Sequence, residues 1–189
     1  MNLSRFKSDN SGMMAVEFAL LLPVLLILFL GGFEVTRYVL LQQKISKTTS
    51  SMSDLISRLP SVSEAEISNS FNAVQHLMEP YFQNSDIKVI ISSVFNNGGD
   101  VEIYWQRCGG GTLSAASQIG DVGDVPVLPN GFTLDDGEEA IIAEVFYSFT
   151  PVIAPDFIAV NSVYKVRVTK PRLGALITIS DDGGVSGCS

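Results

Sequence analysis

The sequence has few of the residues from which active sites and metal sites are most often built. It contains one histidine, His76, and two cysteines, Cys108 and Cys188. No CxxC pair, GxSxG motif, phosphate-binding P-loop or HExxH motif occurs in it. Zinc sites and Cys–His catalysis therefore have almost no raw material. We expect a protein that is not an enzyme and that binds neither a metal nor another cofactor.

Positive charge is also scarce. The chain has 12 Lys and Arg against 20 Asp and Glu, a formal net charge of −8. Between Asp100 and Asp156, ten acidic residues face a single base, Arg107. Because nucleic-acid binding needs clustered cations, we expect no nucleic-acid partner. The acidic stretches DVGDV at Asp121 and DDGEE at Asp135 fit no EF-hand spacing, and we interpret them as solvated loops rather than calcium sites.

One long apolar run near the start, SGMMAVEFALLLPVLLILFLGGFEV, dominates the hydropathy pattern. As a helix, Met13 to Phe33 would be about 31 Å long, which matches the hydrocarbon core of a bilayer. A cleaved secretory signal should end in small residues, but this run ends LFLGGFEV and the helical pattern continues past it. No cysteine follows the run as a lipoprotein signal requires. An uncleaved signal anchor stays open.

A glycine and a glutamate at the edge of the run form a recognisable pair. Gly12 ends the polar leader MNLSRFKSDNSG, and Glu17 is the fifth residue when Met13 is counted as the first. This G/xxxxE arrangement resembles the processing site of type IV pilin-like proteins, in which a membrane peptidase cuts after the glycine. The resemblance implies that Glu17 pairs with the new α-ammonium group of a neighbouring subunit and sets its register, since an unpaired charge in low dielectric is costly. A glutamate that simply lies at the headgroup boundary is the alternative.

The stretch GMMAVEFALLLPVLLILFLGGFEVTRY resembles, more specifically, the N-terminus of TadE-like proteins, the minor pilins (pseudopilins) of tight-adherence (Tad/Flp) pilus systems. The resemblance is carried by Gly12, the AVEFAL core, Pro23, the Leu-rich run, and Glu34 followed by Arg37. Phe18 follows the glutamate where the major Flp pilins typically have tyrosine, and the chain is much longer than those subunits. The resemblance therefore implies a minor subunit.

The family resemblance implies partners and a location. The partners would be a prepilin peptidase, other pilin or pseudopilin subunits, the inner-membrane assembly platform and the lipid bilayer, in a system serving adhesion, biofilm formation or surface attachment. The chain would cross the inner membrane once, with its N-terminus in the cytoplasm and its C-terminal domain periplasmic or extracellular. Charge alone leaves the orientation nearly undecided, because Arg5 and Lys7 precede the span while Arg37, Lys44 and Lys47 follow it.

Two other functions stay open. One is an uncleaved, signal-anchored ectodomain that binds a ligand or a protein partner. The other is a pseudopilin of a type II secretion system, which the VEFAL-plus-proline pattern disfavours.

The domain organisation follows from these segments. We expect a leader at 1–12, a transmembrane helix at 13–33, an amphipathic helical extension at 34–59 and an extracytoplasmic α+β domain at 60–189. Pro23 should kink the membrane helix. The extension carries an apolar heptad stripe that ends before Pro60 and should pack mainly on the chain's own domain; its members are Tyr38, Leu41, Ile45, Thr48, Met52, Leu55 and Leu59.

The remaining pattern predicts one more helix and a small antiparallel sheet. The helix should run from Ser63 to Phe82, with Ser63 and Glu66 as a capping box and His76 on its surface. The predicted strands are IKVIISSVF, VEIYW, AIIAEVFYSFTP and VYKVRVTKP, with a long loop at 109–131 and Trp105 in the core. The alternation in the last strand predicts a sheet with one face in water. The fold class is therefore α+β and pilin-like, a long helix laid on an antiparallel sheet.

The two cysteines suggest one covalent cross-link. If the domain lies outside the cytoplasm, a Cys108–Cys188 disulfide would close a loop of about 80 residues and stabilise the fold by roughly 4 kcal/mol. Two unpaired thiols are the alternative.

Overall fold

The computed structural model describes residues 11–153, 161–176, 178–180 and 188 of the chain. Within these residues, the fold consists of two α-helices, six β-strands and a short 3-10 turn, and the predicted α+β class is confirmed. In chain order the elements are α1 (Ser11–Ser57), β1 (Val62–Ser63), α2 (Glu64–Met78), β2 (Ile87–Asn97), β3 (Asp100–Gly109), the 3-10 turn (Pro129–Gly131), β4 (Glu139–Phe149), β5 (Asn161–Thr169) and β6 (Ile179–Ser180).

The predicted antiparallel sheet is confirmed, with the strand order β3-β2-β4-β5 over the described residues. The two apolar strands β2 and β4 lie in the centre, and β3 and β5 form the edges. The predicted hairpin joins β2 to β3 through Gly98 and Gly99, whose positive φ angles of 69° and 100° suit glycine. A separate parallel pair of two-residue strands joins β1 to β6 through Val62 and Ile179.

Helix α1 is continuous and about 70 Å long. Its second half packs on the sheet through a stripe of completely buried side chains: Leu41, Ile45, Thr48, Met52 and Ile56. The prediction that the extension packs on its own domain is confirmed. One member of the predicted stripe is wrong, because Leu55 is 45% exposed and Ile56 is buried instead. A strict heptad drifts around a straight helix of 3.6 residues per turn, so the buried face moves forward by one residue at this point.

Helix α1 ends at Ser57, two residues before the predicted end at Leu59. The residue that precedes a proline avoids the helical conformation, and Leu59 precedes Pro60. The carbonyl oxygen of Ser57 accepts a hydrogen bond from the Arg172 backbone N–H at 2.9 Å. This bond satisfies one of the carbonyl groups that a helix end leaves without an intrahelical partner.

Helix α2 begins with the predicted capping box. The Glu66 backbone N–H donates to Ser63 Oγ at 3.3 Å, and the Ser63 N–H donates to Glu66 Oε2 at 2.9 Å. The helix ends at Met78 rather than at the predicted Phe82, because Pro80 forces Glu79 into an extended conformation with ψ of 138°. The His76 side chain is 80% exposed, as expected for a surface residue.

Both faces of the sheet are covered, so the prediction of one face in water was wrong. Helices α1 and α2 cover one face. On the other face, Val94 and Ile142 pack against Ile119 and Leu134 of the long segment between β3 and β4. The predicted loop therefore supplies a second, smaller core. This explains why β4 is buried along nearly its whole length and carries apolar residues on both faces.

The predicted disulfide is present between Cys108 and Cys188, with their Cα atoms 5.6 Å apart. Cys188 is buried next to Ile90 and Phe146. Its carbonyl oxygen accepts a hydrogen bond from Lys88 Nζ at 3.1 Å. The cross-link thus holds a residue near the C-terminus against the loop-covered face of the sheet. Trp105 is buried as predicted.

Candidate functional site

The first half of α1 presents apolar side chains outward. Its side chains from Met13 to Phe33 are exposed, with Met13 at 67% and Phe29 at 72%. Among the described residues, one helix has the length and composition to cross a membrane, and its most apolar window has a mean hydropathy of 2.6. This segment near the N-terminus is compatible with a single-pass membrane anchor.

The predicted processing residues lie in the first turn of this helix. Gly12 and Met13 are helical, and Glu17 follows one turn later with its side chain exposed. A Cβ atom added to Gly12 would meet no atom within 4 Å, so the fold itself does not require glycine there. Glu17 forms no ion pair with any residue that the structure describes. Residues 1–10 of the predicted leader lie outside the described residues.

Pro23 lies inside α1, and the helix continues on both sides of it. Since proline has no N–H group, the carbonyl of Ala19 lacks its usual intrahelical donor. The kink at Pro23 stays a prediction.

The junction between the membrane-type half of α1 and the sheet domain is built around Glu34. This glutamate is only 6% exposed although it follows the apolar run directly. Its carboxylate accepts hydrogen bonds from the backbone N–H groups of Val152 and Ile153, both at 3.2 Å, and from Arg37 Nη1 at 2.8 Å. Three donors thus balance the cost of burying its charge. We call Glu34, Arg37, Val152 and Ile153 the clasp.

Aromatic side chains surround the clasp. The Arg37 guanidinium carbon lies 5.7 Å from the centre of the Phe149 ring, within the range of a cation–π contact. Tyr38 packs on the same ring, with the two ring centres 5.2 Å apart. Phe149 is the last residue of β4, so the clasp joins α1 to the loop that follows a central strand. These contacts fix where the domain begins along the helix.

A cleft of about 330 Å³ opens beside the clasp, between Arg37, Tyr81, Asp86 and Tyr147. Burial, and then the nearby Asp86 carboxylate, raise the pKa of Tyr147 to about 12. The Tyr147 hydroxyl therefore stays protonated at neutral pH and donates a hydrogen bond to the Tyr81 carbonyl at 2.8 Å. Tyr147 thereby ties β4 to the segment after α2, and the cleft wall is a structural feature of the junction.

Comparison with protein families matches residues 12–51 to the family of TadE-like proteins. The N-terminal helix of this chain is TadE-like. The matched segment begins at Gly12 and contains Glu17, Pro23, Glu34 and Arg37, so the resemblance seen in the sequence is confirmed over this segment. It ends at residue 51 and leaves the sheet domain outside. No curated protein and no solved structure matches the chain.

Sequence reasoning found the TadE-like residues but missed the role of two of them. Glu34 and Arg37 were visible as part of the motif, and nothing in the sequence assigned them a contact. The partner loop lies 118 residues further along the chain, so no local spacing links it to Glu34. The one available signal was the acid itself, because an acid directly after an apolar run needs a partner if it is buried.

Proposed function

We propose that this protein is a membrane-anchored minor pseudopilin that takes part in the assembly of a Tad/Flp pilus. The observation that carries the proposal is the TadE-like match that begins at Gly12 and places Glu17 at its fifth position after the glycine. TadE-like proteins are involved in Tad pilus assembly, which makes other pilus components the expected partners. The role is structural, with no reaction catalysed by the chain itself.

The membrane arrangement follows from α1. Its exposed apolar half would cross the inner membrane, and the clasp at Glu34 would hold the domain directly above the bilayer surface. The Cys108–Cys188 disulfide favours an oxidising compartment for the domain. We therefore place the N-terminus in the cytoplasm and the sheet domain in the periplasm or outside the cell.

Processing would occur at the bond between Gly12 and Met13, cut by a prepilin peptidase. Gly12→Leu should block the cut, because the peptidase has to accommodate the residue that precedes the cut bond. The fold has free space at Gly12, so the larger side chain should not disturb folding. Cells with an active peptidase should then retain the full-length chain, seen as a slower band on a gel. Gly31→Leu is the matched control, since it makes the same change in free space further along the helix and should leave processing normal. Unchanged mobility of the Gly12 variant would show that the cut site is wrong.

Glu17 would act after processing. In a growing fibre its carboxylate would pair with the α-ammonium group of Met13 on a neighbouring subunit and fix the subunit register. Glu17→Ala should therefore leave membrane insertion intact and reduce piliation strongly, as counted by electron microscopy of shed or attached pili. Phe18→Ala, a truncation of the adjacent exposed side chain, is the control, and cells that carry it should form pili in normal number. Normal piliation with Glu17→Ala would remove the register role.

A further inference from the structure

A basic groove lies between α1 and the edge strand β5. It is a cleft of about 310 Å³ that carries three cations, Lys47, Arg167 and Arg172. Its full lining, which defines the basic groove, is Lys47, Ser50, Ser51, Asp54, Arg167, Thr169 and Arg172. This concentration of cations contrasts with a chain whose formal net charge is −8.

The basic groove keeps unpaired positive charge. Its one acid, Asp54, already pairs with Arg172 at 3.0 Å and with Arg58 on the next turn of α1. Lys47 and Arg167 form no ion pair with any other residue that the structure describes. Both side chains are exposed. An anionic group entering the groove would therefore meet free cations together with the hydroxyl groups that line it.

Lipid headgroups are out of reach of the basic groove. Lys47 lies 14 residues along α1 from Phe33, where the apolar run ends, which is about 21 Å of helix. Charges this far apart in water at physiological salt are screened, since the Debye length is about 8 Å. The occupant of the groove is therefore expected to be another protein surface beside the domain.

The same chain carries a surface of opposite charge on its other edge. Four exposed acids lie along β3 and the loop bonded to it, and they define the acidic edge: Asp100, Glu102, Asp121 and Asp124. None of the four forms an ion pair within the described part of the chain. The strand order β3-β2-β4-β5 puts the acidic edge and the basic groove on opposite sides of the domain. A single copy therefore cannot bring its own acidic edge into its own groove.

The two surfaces lie at matching heights in the sheet. Through β4, Thr169 of the groove is level with Ser93 of β2. The next residue of β2, Val94, is level with Ile103 of β3, and the Ile103 N–H donates to the Asp124 carbonyl at 3.4 Å. The groove and the acidic edge thus differ in height by about one residue along the strands, or about 3 Å. Two copies that stand upright in one membrane would present groove and acidic edge to each other at the same level.

We propose that the basic groove docks the acidic edge of a second copy of this chain. The contact is head-to-tail, because a two-fold dimer about the membrane normal would bring like charges together at either edge. A bound pair leaves one groove and one acidic edge free, so the association can extend in the membrane plane. The contact needs neither the cut after Gly12 nor the pairing of Glu17, so its failure would leave the proposed pseudopilin function standing.

Zero-length cross-linking tests the contact directly. Unlabelled and ¹⁵N-labelled full chains are mixed, reconstituted into phosphatidylcholine vesicles and treated with a carbodiimide, which joins a lysine amine to a carboxylate in contact with it. Mass spectrometry should find peptides that join Lys47 of one isotope to Asp121 or Asp124 of the other. Their yield should fall as salt rises, because the pairs are exposed.

Charge reversal makes the test specific. K47E/R167E reverses the groove and D121K/D124K reverses the edge, and each variant alone should lower self-association by about tenfold or more. This association is measured by energy transfer between dye-labelled copies of the same variant, because each variant lacks a group that the carbodiimide would join. An equimolar mixture of the two variants should recover self-association, measured by energy transfer between dyes on the two variants, because each reversed surface then meets its complement. K44E and E79K each reverse one charge of the same sign outside both surfaces and should associate as the unaltered chain does.

Four results would overturn the proposal. The first is a set of cross-links confined to copies of one isotope. The second is unchanged association in either reversed pair. The third is a mixture of the two reversed variants that fails to associate although both are folded by circular dichroism. The fourth is a cross-link in native membranes from the groove to a different protein, with no link between copies. That protein would then be the occupant of the groove.

Discussion

Two acids at the ends of one apolar segment have opposite surroundings. Glu34 is buried and receives three hydrogen bonds from Arg37 and the loop after β4. Glu17 is exposed and has no ion-pair partner among the described residues. The acid at the domain end therefore has its hydrogen-bond donors within the same chain. For the acid at the leader end, the register role proposed above supplies a partner on another subunit.

The clasp predicts a cost for removing Glu34. Glu34→Ala should lower the free energy of unfolding by about 1.5–3 kcal/mol, because the N–H groups of Val152 and Ile153 lose a charged acceptor and Arg37 loses its ion pair. The measurement is denaturant unfolding of the full chain in detergent, followed by the fluorescence of the buried Trp105.

An exposed acid provides the control for this change. The Glu79 side chain is 63% exposed and lies near a histidine at 3.9 Å. Glu79→Ala should change the stability by less than about 0.5 kcal/mol. If both variants unfolded at the same denaturant concentration, the clasp would contribute nothing to joining the helix and the domain.

The residues of the site differ in how far the sequence could predict them. Gly12, Glu17 and Pro23 form a local pattern, so the family resemblance could single them out from the sequence. Glu34 belongs to the same pattern, yet its function depends on a loop far along the chain. Contacts between residues so far apart in the sequence are set by the packing of α1 on β4. The local spacing of residues cannot predict them.

At the level of elements, the phase of α1 decides which residues it buries. The predicted stripe is correct from Leu41 to Met52 and fails at the next turn. A stripe of steps of three and four residues fits both a heptad and a straight helix over a short length, and the two diverge as the helix continues. Since α1 lies on a sheet and not on a second long helix, its buried face follows the 3.6 residues per turn of a straight helix.

Adjacent alanine substitutions separate the two phases. Ile56→Ala should lower the free energy of unfolding by about 2–5 kcal/mol, because it leaves a cavity between α1 and the sheet core. Leu55→Ala should cost about 0.5 kcal/mol or less, since that side chain is 45% exposed and helix propensity favours alanine. Thermal or denaturant unfolding of both variants measures the difference. A larger loss of stability for Leu55→Ala would show that the buried face follows the heptad repeat instead.

The strands were predictable to different degrees for physical reasons. Dense β-branched residues revealed β2, apolar residues revealed β4, alternating valines revealed β5, and the glycine turn revealed β3. The strands β1 and β6 have two residues each, too few to show any alternation. The cover on the second face of the sheet was missed because its apolar residues, such as Ile119 and Leu134, are scattered among Gly, Asp and Pro.

For the whole molecule, the disulfide joins parts of the chain that secondary structure leaves apart. It closes a separation of 80 residues from the end of β3 to a position near the C-terminus. Replacing both cysteines by serine should lower the free energy of unfolding by about 4 kcal/mol in the chain-entropy model. Denaturant unfolding of the oxidised chain and of the double variant measures this. Equal stability of the two would show that the cross-link does not constrain the unfolded chain.

For the molecule as a whole, we propose processing to a mature pseudopilin subunit. The most direct test is the intact mass, with mapping of the N-terminal peptide, of protein extracted from its native membrane. We expect a mature chain that starts at Met13, with or without a methyl group on the new amine. A chain that starts at Met1 in cells with an active prepilin peptidase would contradict it, and would make the protein an anchored ectodomain whose Glu17 lies at the headgroup boundary.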